Sequence, residues 1–190
     1  VLGALVVGSI LGLIAGVFGG ASETLVMRGA DVLLSFPPIL LGVFVVSIAG
    51  PGVGKVGIAI FIANVPRFVR FMRASVHKEM PLEYVDAARA LGASRTRLMF
   101  RHIAPNTLSS LIVYINIALV DAILLEAGLS FVGLGAQAPQ PSWGLLLRDA
   151  RSYLSRSASY ALAPGIALSS LMIGLNLVVD ALRTALDPRK

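Results

Sequence analysis

Residues 81–106 read PLEYVDAARALGASRTRLMFRHIAPN and separate two long apolar stretches of the chain. Pro81 suits the first turn of a helix, where no amide donor is needed, and Gly92 suits the position just after a helix end. Ser94 is a good N-cap for a second helix. The segment 81–105 therefore predicts two short polar helices joined by a tight turn, in a chain that is otherwise apolar.

The composition as a whole is that of a membrane protein. Of the 190 residues, 56% are hydrophobic and only 14% are charged, and the mean hydropathy is +0.84. A soluble domain of this size needs a charged shell, whereas a bilayer removes that need and is spanned by about 20 consecutive apolar residues. The composition predicts an all-helical integral membrane protein with several spans.

Five apolar segments are candidates for membrane spans. A short polar turn is expected at 23–31, between the first two segments, and a long loop at 128–159, between the last two. The helix–turn–helix at 81–105 falls between the third and the fourth. The five predicted spans are 1–20, 32–49, 53–71, 107–129 and 160–182.

The positive charges predict how the chain is oriented. The net charge is +6, and eight of the sixteen Lys and Arg residues lie between Arg67 and Arg101. Such a cluster can bind nucleic acid, but in a membrane chain the positive-inside rule is the simpler interpretation. It places the 81–105 segment and the C-terminus in the cytoplasm and the 128–159 loop outside. No nucleic-acid partner is expected.

The first apolar segment carries small residues at every fourth position. Since residues four apart lie on one face of a helix, this stripe predicts close packing of the first span against another helix. The stripe consists of Ala4, Gly8, Gly12, Gly16 and Gly20.

The sequence contains no recognisable catalytic or cofactor motif. There are no cysteines and only two histidines, His77 and His102, so thiolate and histidine metal sites are not expected. The segment GPGVGK at 50–55 lacks the spacing and the final Ser or Thr of a phosphate-binding loop. We expect neither an enzyme nor a cofactor bound by this chain itself.

One acidic residue falls in the middle of a predicted span. Asp121 lies inside the fourth segment, with Asn116 five positions earlier. A charge at mid-bilayer costs on the order of 2.5–3.5 kcal/mol on insertion scales, so it normally faces protein or water. Asp121, with Asn116, is therefore a candidate for lining a water-filled path or for meeting a positive group on a partner. The alternatives are a structural hydrogen bond within the bundle or a neutral, protonated acid. For Asp180 and Asn176, low in the last span, the structural interpretation is favoured.

The first helix of the polar segment predicts a docking surface. Tyr84, Ala88 and Leu91 share one face, and Ala87 with Ala88 is expected to form a small flat patch. Such a patch suits a groove on another protein. An amphipathic helix resting on lipid would instead carry large apolar residues at these two positions.

Three motifs in this order resemble the permeases of ABC importers. The first motif lies in the polar segment and consists of Asp86-Ala87-Ala88, Gly92 and Pro105. Two further stretches, GLSFVGLGAQAPQPSWG at 128–144 and NLVVDALRTALDPRK at 176–190, are similar to the C-type subunit of the dipeptide, oligopeptide and nickel permease branch. The similarity extends over essentially the whole chain, with Asp86 where the family usually has Glu.

The resemblance implies a fold and a set of partners. It implies a type I importer permease domain over 1–190, with six spans of which the first precedes Val1, and a cytoplasmic coupling loop at 81–105. The implied partners are a second homologous permease, two cytoplasmic ATP-binding subunits that use ATP and Mg²⁺, and an extracytoplasmic substrate-binding protein. The implied location is the cell membrane of a prokaryote. The residues implied in coupling to the ATPase are Glu83, Asp86, Ala87, Ala88, Arg89, Gly92 and Pro105.

A competing hypothesis is a self-sufficient secondary carrier or channel, with Asp121 as an ion site and the loop as a regulatory surface. It accounts for the hydrophobicity and the glycine stripe, but not for the motif in the polar segment. The sequence does not identify the cargo: peptides are the leading candidate, followed by nickel chelates and other small solutes. Trp143 and the loop 139–141 are expected at the outer rim.

Overall fold

A computed structural model describes residues 1–186, and those residues contain helices and no strand. The all-helical prediction is confirmed. The predicted cytoplasmic tail at 187–190 lies outside the described residues. The helices are α1 (Leu2–Phe18), α2 (Gly20–Leu34), α3 (Pro38–Ala49), α4 (Val53–Glu79), α5 (Glu83–Ala90), α6 (Arg95–Arg97), a π-helical segment (Leu98–Ile103), α7 (Ala104–Val132), α8 (Trp143–Ala150), a 3₁₀ turn (Arg151–Tyr153) and α9 (Ser159–Leu186).

Helix α1 packs against α4 along its stripe of small residues, as predicted. A Cβ atom on Gly8 would lie 2.6 Å from Phe68 Cβ, and one on Gly16 would lie 2.7 Å from Val76 Cβ. The two helices run in the same direction and touch closely because no side chain separates them. Gly20 does not belong to the stripe: α1 ends before Gly19, whose φ is +65°, and a Cβ on Gly20 would meet nothing within 4 Å.

The polar segment at 23–31 is a helix, not the predicted turn. It forms most of α2, and its acidic side chains pair with the basic face of α4. Glu23 contacts both Arg73 and His77, and Asp31 accepts a hydrogen bond from Arg70 at 2.6 Å. The charges that suggested a solvated turn are therefore partly neutralised by a neighbouring helix.

The second predicted span, 32–49, is broken. Helix α2 ends at Leu34 and α3 begins at Pro38, with a bend of 86° between them. Pro38 occupies the first turn of α3, where a missing amide donor costs nothing. With 12 residues, α3 is about 18 Å long, which is shorter than the bilayer core of about 30 Å. Only α2 and α3 together have the length to cross.

Helix α4 is longer than the predicted span, which ended at 71. It continues to Glu79, and it carries four of the eight basic residues that were assigned to a cytoplasmic cluster. Three of the four each form an ion pair with an acidic residue of α2 or α7. The three are Arg67, Arg70 and Arg73.

Two helices of the described residues are long and apolar enough to cross a membrane. They are Arg95–Val132 and Ser159–Ala181, and the bent pair of α2 and α3 makes a third if it is counted as one span. Helix α1 is apolar but has only 17 residues. The count of five spans therefore stays a prediction, whereas a multi-pass helical bundle is what the structure shows.

Two buried apolar clusters hold the bundle together. One joins α1, α4 and α5 to the start of α7 around Phe68, Met72 and Ile103, and the ring of Phe71 stacks on Tyr114 with centroids 4.2 Å apart. The other joins α3, α4 and α7. Helix α5 is thus fastened to the same core as the long helices.

Candidate functional site

Helix α5 begins and ends at defined signals. Its first residue is Glu83, so Pro81 precedes the helix and does not occupy its first turn as predicted. Its end matches the prediction: Gly92 has φ +81°. The Gly92 amide donates to Arg89 O at 2.9 Å and the Ala93 amide donates to Ala88 O at 3.0 Å. This pair of bonds is the Schellman motif, which satisfies the last carbonyls of the helix.

One face of α5 is fixed against the bundle. Val85 is fully buried and Ala88 is 8% exposed, both in the core cluster that includes Leu98. The Tyr84 hydroxyl donates to Glu79 Oε2 at 2.6 Å. Burial and this hydrogen bond raise the pKa of Tyr84 to about 12. The contacts hold α5 at a fixed place relative to the end of α4.

The opposite face of α5 is open. Glu83, Asp86 and Ala87 are exposed, and Leu91 is 89% exposed. Arg89 donates to Asp86 Oδ1 at 3.1 Å, one turn away on the same helix. The predicted flat patch of Ala87 and Ala88 is therefore not one surface, because Ala88 points inward and Ala87 outward.

The second short helix is not a separate element. Ser94 caps it, since its Oγ accepts the Arg97 amide at 3.3 Å, as predicted. The chain then continues through the π-helical segment directly into α7, with no break at Pro105. The Ala104 amide donates to Met99 O, five residues earlier, and this wider turn accommodates a proline that lacks an amide donor.

Asp121 is paired within the chain. Its carboxylate accepts a hydrogen bond from Arg67 Nη1, from the middle of α4. The two side chains line a cavity of about 300 Å³ where α3, α4 and α7 meet, together with Pro38 and Asn64. An ion pair satisfies the requirement that a charge in a membrane has a partner.

Asn116 does not join this cavity. Its Nδ2 donates to Asn176 Oδ1 at 2.9 Å and so ties α7 to α9. Five residues separate Asn116 from Asp121, which places them about 140° apart around the helix. The structure therefore does not bring the two predicted path residues together, and Asn176 makes the kind of bond between helices that was expected of it.

Sequence reasoning missed Arg67 and Asn64. Arg67 was counted with the cytoplasmic charges, and Asn64 was not singled out, although it is only 2% exposed. The signal that was available is their spacing: residues three apart on a helix share a face, and both lie inside the apolar segment 53–71. A polar face within a span is the pattern that predicts a cavity lining.

The segment 128–144 was predicted as part of a loop, but it includes the last turn of α7 and folds around Ser130. This fully buried side chain donates to Glu126 Oε1 at 2.6 Å and accepts the Ala136 amide at 3.1 Å. A Cβ on Gly144 would overlap Ala127 O, so α8 lies tightly against the end of α7. Trp143 lines a groove beside Leu171, in the middle of α9, and the placement of Trp143 and the loop 139–141 at the outer rim stays a prediction.

The part of the chain that the structure describes contains no cluster of candidate metal ligands. No group of three or more His, Cys, Asp or Glu side chains comes together there in a way that could hold a metal ion.

Comparison with known proteins identifies the family. A family model described as "Binding-protein-dependent transport system inner membrane component" matches residues 8–190. The dipeptide transport system permease protein DppC of Alkalihalophilus pseudofirmus is 43% identical over 100% of this chain and 62% of its own length. The glutathione transport system permease protein GsiD of Pectobacterium atrosepticum is 40% identical over 100% of this chain and 63% of its own length.

A solved structure supports the fold. The inward-facing MetNI methionine ABC transporter contains a chain that superposes with a TM-score of 0.80 at 18% identity, covering 98% of this chain and 88% of that one. At this identity the likeness concerns the fold alone, and it confirms the type I importer permease architecture. The chain spans about three fifths of the length of the curated relatives it matches. It belongs to the family of binding-protein-dependent transport system inner membrane components.

Proposed function

We propose that this chain is a membrane-embedded permease subunit of an ATP-driven, binding-protein-dependent importer for dipeptides or short oligopeptides. The family match covers nearly the whole chain, and two relatives are named as dipeptide or di/tripeptide permeases, at 43% and 42% identity. In this proposal the chain pairs with a second permease in a prokaryotic cell membrane and receives solute from an extracytoplasmic binding protein. Two partner subunits bind and hydrolyse ATP with Mg²⁺.

The exposed face of α5 is the observation that carries the proposal. A charged eight-residue helix, Glu83–Ala90, has one face packed on the bundle core and the other open. A protein groove that accepts a short helix recognises residues spaced three or four apart. Glu83, Asp86 and Ala87 provide that face, with Arg89 beside Asp86.

In this proposal the other residues that were predicted to couple the chain to the ATPase do not contact it, and instead hold α5 and α7 in place. Ala88 sits in the core that fastens α5, Gly92 ends the helix, and Pro105 lies in the first turn of α7. A movement imposed on α5 by an ATP-binding subunit is passed to α7 through these points. Asp121, in the middle of α7, then lies beside the translocation path, while Asn116 keeps α7 joined to α9.

The test combines purification with transport. The full-length tagged protein is extracted in mild detergent, its partners are identified by mass spectrometry, and uptake of labelled dialanine is measured in proteoliposomes with and without ATP. We expect ATP-binding subunits and a second permease to co-purify and uptake to require ATP. Solute movement by the chain alone, without ATP, would establish a self-sufficient carrier and overturn the proposal.

Matched variants locate the coupling surface. Ala87→Trp places a large side chain on the open face of α5, and Ala158→Trp places one on the exposed segment before α9, which is distant along the fold. We expect Ala87→Trp to reduce ATP-dependent uptake at least tenfold with normal membrane insertion, and Ala158→Trp to leave coupling intact. Normal uptake by Ala87→Trp would show that this face of α5 does not dock on an ATPase.

A further inference from the structure

The polar wall of the cavity between α3, α4 and α7 has a composition that the fold alone does not require. It carries a cation, an anion and an amide within one space of about 300 Å³, from Arg67, Asp121 and Asn64. Sites for small molecules occupy about 300–1,000 Å³ and combine apolar walls with a few placed polar groups. The rest of this wall is apolar, formed in part by Ile39 and Leu125. The cavity therefore has the size and lining of a site for a small solute.

The ion pair in this cavity is accessible. The Arg67 side chain is 26% exposed and the Asp121 side chain is 44% exposed. Asp121 also lies about halfway along the apolar stretch of α7, where a charge in contact with acyl chains is expensive. This face of the bundle therefore borders water or protein, as a solute pathway does.

The cavity side chains have hydrogen-bond donors and acceptors that are not used by the bonds described above. The described hydrogen bond joins Arg67 Nη1 to Asp121 Oδ2, and a guanidinium and a carboxylate each have further donor and acceptor positions. Asn64 Nδ2 donates to Ile60 O at 2.9 Å, while Asn64 Oδ1 is buried and has no partner among the described residues. An acceptor on Asp121 and a set of donors on Arg67 are thus available to a ligand, whereas Asn64 Oδ1 is closed off from the cavity space.

We propose that this cavity is a transient binding site for the two charged ends of a zwitterionic peptide, the ammonium on Asp121 and the carboxylate on Arg67. The inference rests on the proposed importer function and adds to it the chemistry that the path recognises. The empty site neutralises itself, because Arg67 and Asp121 pair with one another. A zwitterion exchanges that pair for two new ones without leaving a charge uncompensated, whereas a solute with a single charge leaves one residue unpaired.

Competition binding tests the proposal without any variant. The purified full-length complex is placed in lipid nanodiscs without the binding protein, and weak binding of labelled dialanine is measured by scintillation proximity. Unlabelled dialanine should compete at least tenfold better than N-acetyl-dialanine, which lacks the ammonium, and at least tenfold better than dialanine amide, which lacks the carboxylate. Equal competition by all three, or no binding of dialanine, overturns the inference.

Two cavity variants assign each charge, and an ion pair elsewhere is the control. Asp121→Asn should remove the discrimination against N-acetyl-dialanine, and Arg67→Gln the discrimination against the amide. The pair of Arg70 and Asp31 is more exposed and lies between α2 and α4, away from the cavity, so Asp31→Asn should leave both preferences unchanged. If Asp121→Asn and Asp31→Asn bind dialanine alike, the cavity is not the site.

These outcomes separate the inference from the proposed function. Loss of the ATP requirement, or absence of ATP-binding partners, would refute the importer itself. ATP-dependent uptake of dialanine by a complex that shows no terminal-group preference would refute only the cavity site.

Discussion

At the scale of single residues, the structure depends on places where a side chain is absent. Gly8, Gly12 and Gly16 let α1 lie directly on the backbone of α4. In a membrane the hydrophobic effect gives little force between helices, so close van der Waals packing has to provide it. A small residue therefore stabilises this fold as much as a large one does in a soluble core.

A methyl group at Gly12 should separate the two helices. Its Cβ would lie 2.5 Å from Val69 O and 2.8 Å from Met72 Cβ, and neither atom can yield without moving backbone. We expect Gly12→Ala to destabilise the protein by about 1–3 kcal/mol, measured as thermal unfolding of the detergent-solubilised protein. Gly29→Ala is the control, because a Cβ there meets nothing within 4 Å. Equal melting temperatures for the two variants would contradict the close packing of α1 and α4.

Tyr84 gives a pH dependence that belongs to one side chain. Its pKa is raised from 10.0 to about 12, so its neutral form is favoured in the folded protein. The stability that this contributes is complete below pH 10 and is lost as the pH rises through 12. Subtracting the ultraviolet titration of Tyr84→Phe from that of the wild type should reveal a phenol that ionises near pH 12.

A second pair of variants assigns the cause of that shift. Glu79→Gln removes the charge that accepts the Tyr84 hydrogen bond, so the ionisation of Tyr84 should move to lower pH. Glu83→Gln neutralises an exposed carboxylate on the same loop and should leave the transition where it is. If Tyr84 ionises at the wild-type pH in both variants, burial alone raises its pKa.

At the scale of elements, α5 combines a fixed position with an open surface. Its inner face is part of the bundle core, and its C-terminus is ended by the left-handed Gly92. Because the following residue, Ala93, bonds back to Ala88, the turn sets where the next helix begins. The orientation of α5 relative to α7 thus depends on one glycine.

Replacing Gly92 should disturb α5 while leaving the membrane part intact. A side chain at φ +81° costs about 1–2 kcal/mol for a non-glycine residue. We expect Gly92→Ala to increase proteolytic cleavage within 81–95 and to lower ATP-dependent uptake severalfold, at an unchanged amount of inserted protein. Gly165→Ala, in a helix and with open space around it, is the control. Wild-type protection of the loop in Gly92→Ala would contradict this account.

The elements that sequence predicted well are those whose signals are local. The glycine stripe as far as Gly16, the Ser94 cap and the Gly92 stop each depend on residues a few positions apart, and each was found as expected. The failures concern partners distant in the sequence. Glu23 and Arg73 looked like solvated charges because their ion pair joins α2 to α4 across 50 residues. A pattern of neighbouring residues does not predict an ion pair between residues that are so far apart in the sequence.

The same reason explains the candidate site. The apolar context of Asp121 predicted a special role, but its partner Arg67 is 54 residues away. Which residue meets Asp121 depends on the register between α4 and α7, and that register is set by the packing of the whole bundle. The sequence alone left both a path and a structural bond open for Asp121. The structure shows an ion pair that also lines a cavity.

At the scale of the whole molecule, the loop that contains α5 and the loop that contains α8 lie at opposite ends of the bundle. Helix α4 starts beside the end of α7, where the Gly52 amide donates to Leu134 O at 3.3 Å, and it ends beside α5. The stretch Arg95–Val132 has 38 residues and is about 57 Å long. That length exceeds the bilayer core of about 30 Å, so the α5 loop and the α8 loop should face different compartments.

Labelling of single cysteines tests this arrangement. The natural chain has no cysteine, so Ala87→Cys and Ala158→Cys each introduce one reactive thiol at an exposed position. With a membrane-impermeant maleimide on intact spheroplasts, we expect Ala158→Cys to be modified at once. Ala87→Cys should react only after permeabilisation. The reverse result would invert the orientation derived from the positive charges, and equal labelling of both would contradict a spanning arrangement.

The unbroken path of the chain from Arg95 to Val132 gives the molecule a lever arm. A rod of about 57 Å that tilts by about 10° sweeps its far end through an arc of about 10 Å, while its midpoint travels half as far. Asp121 lies on that rod some 39 Å from Arg95, by the helical rise of about 1.5 Å per residue. A rotation about the end beside α5 therefore moves Asp121 further than any residue nearer to Arg95, and the π-helical segment interrupts the α-helical geometry close to that end.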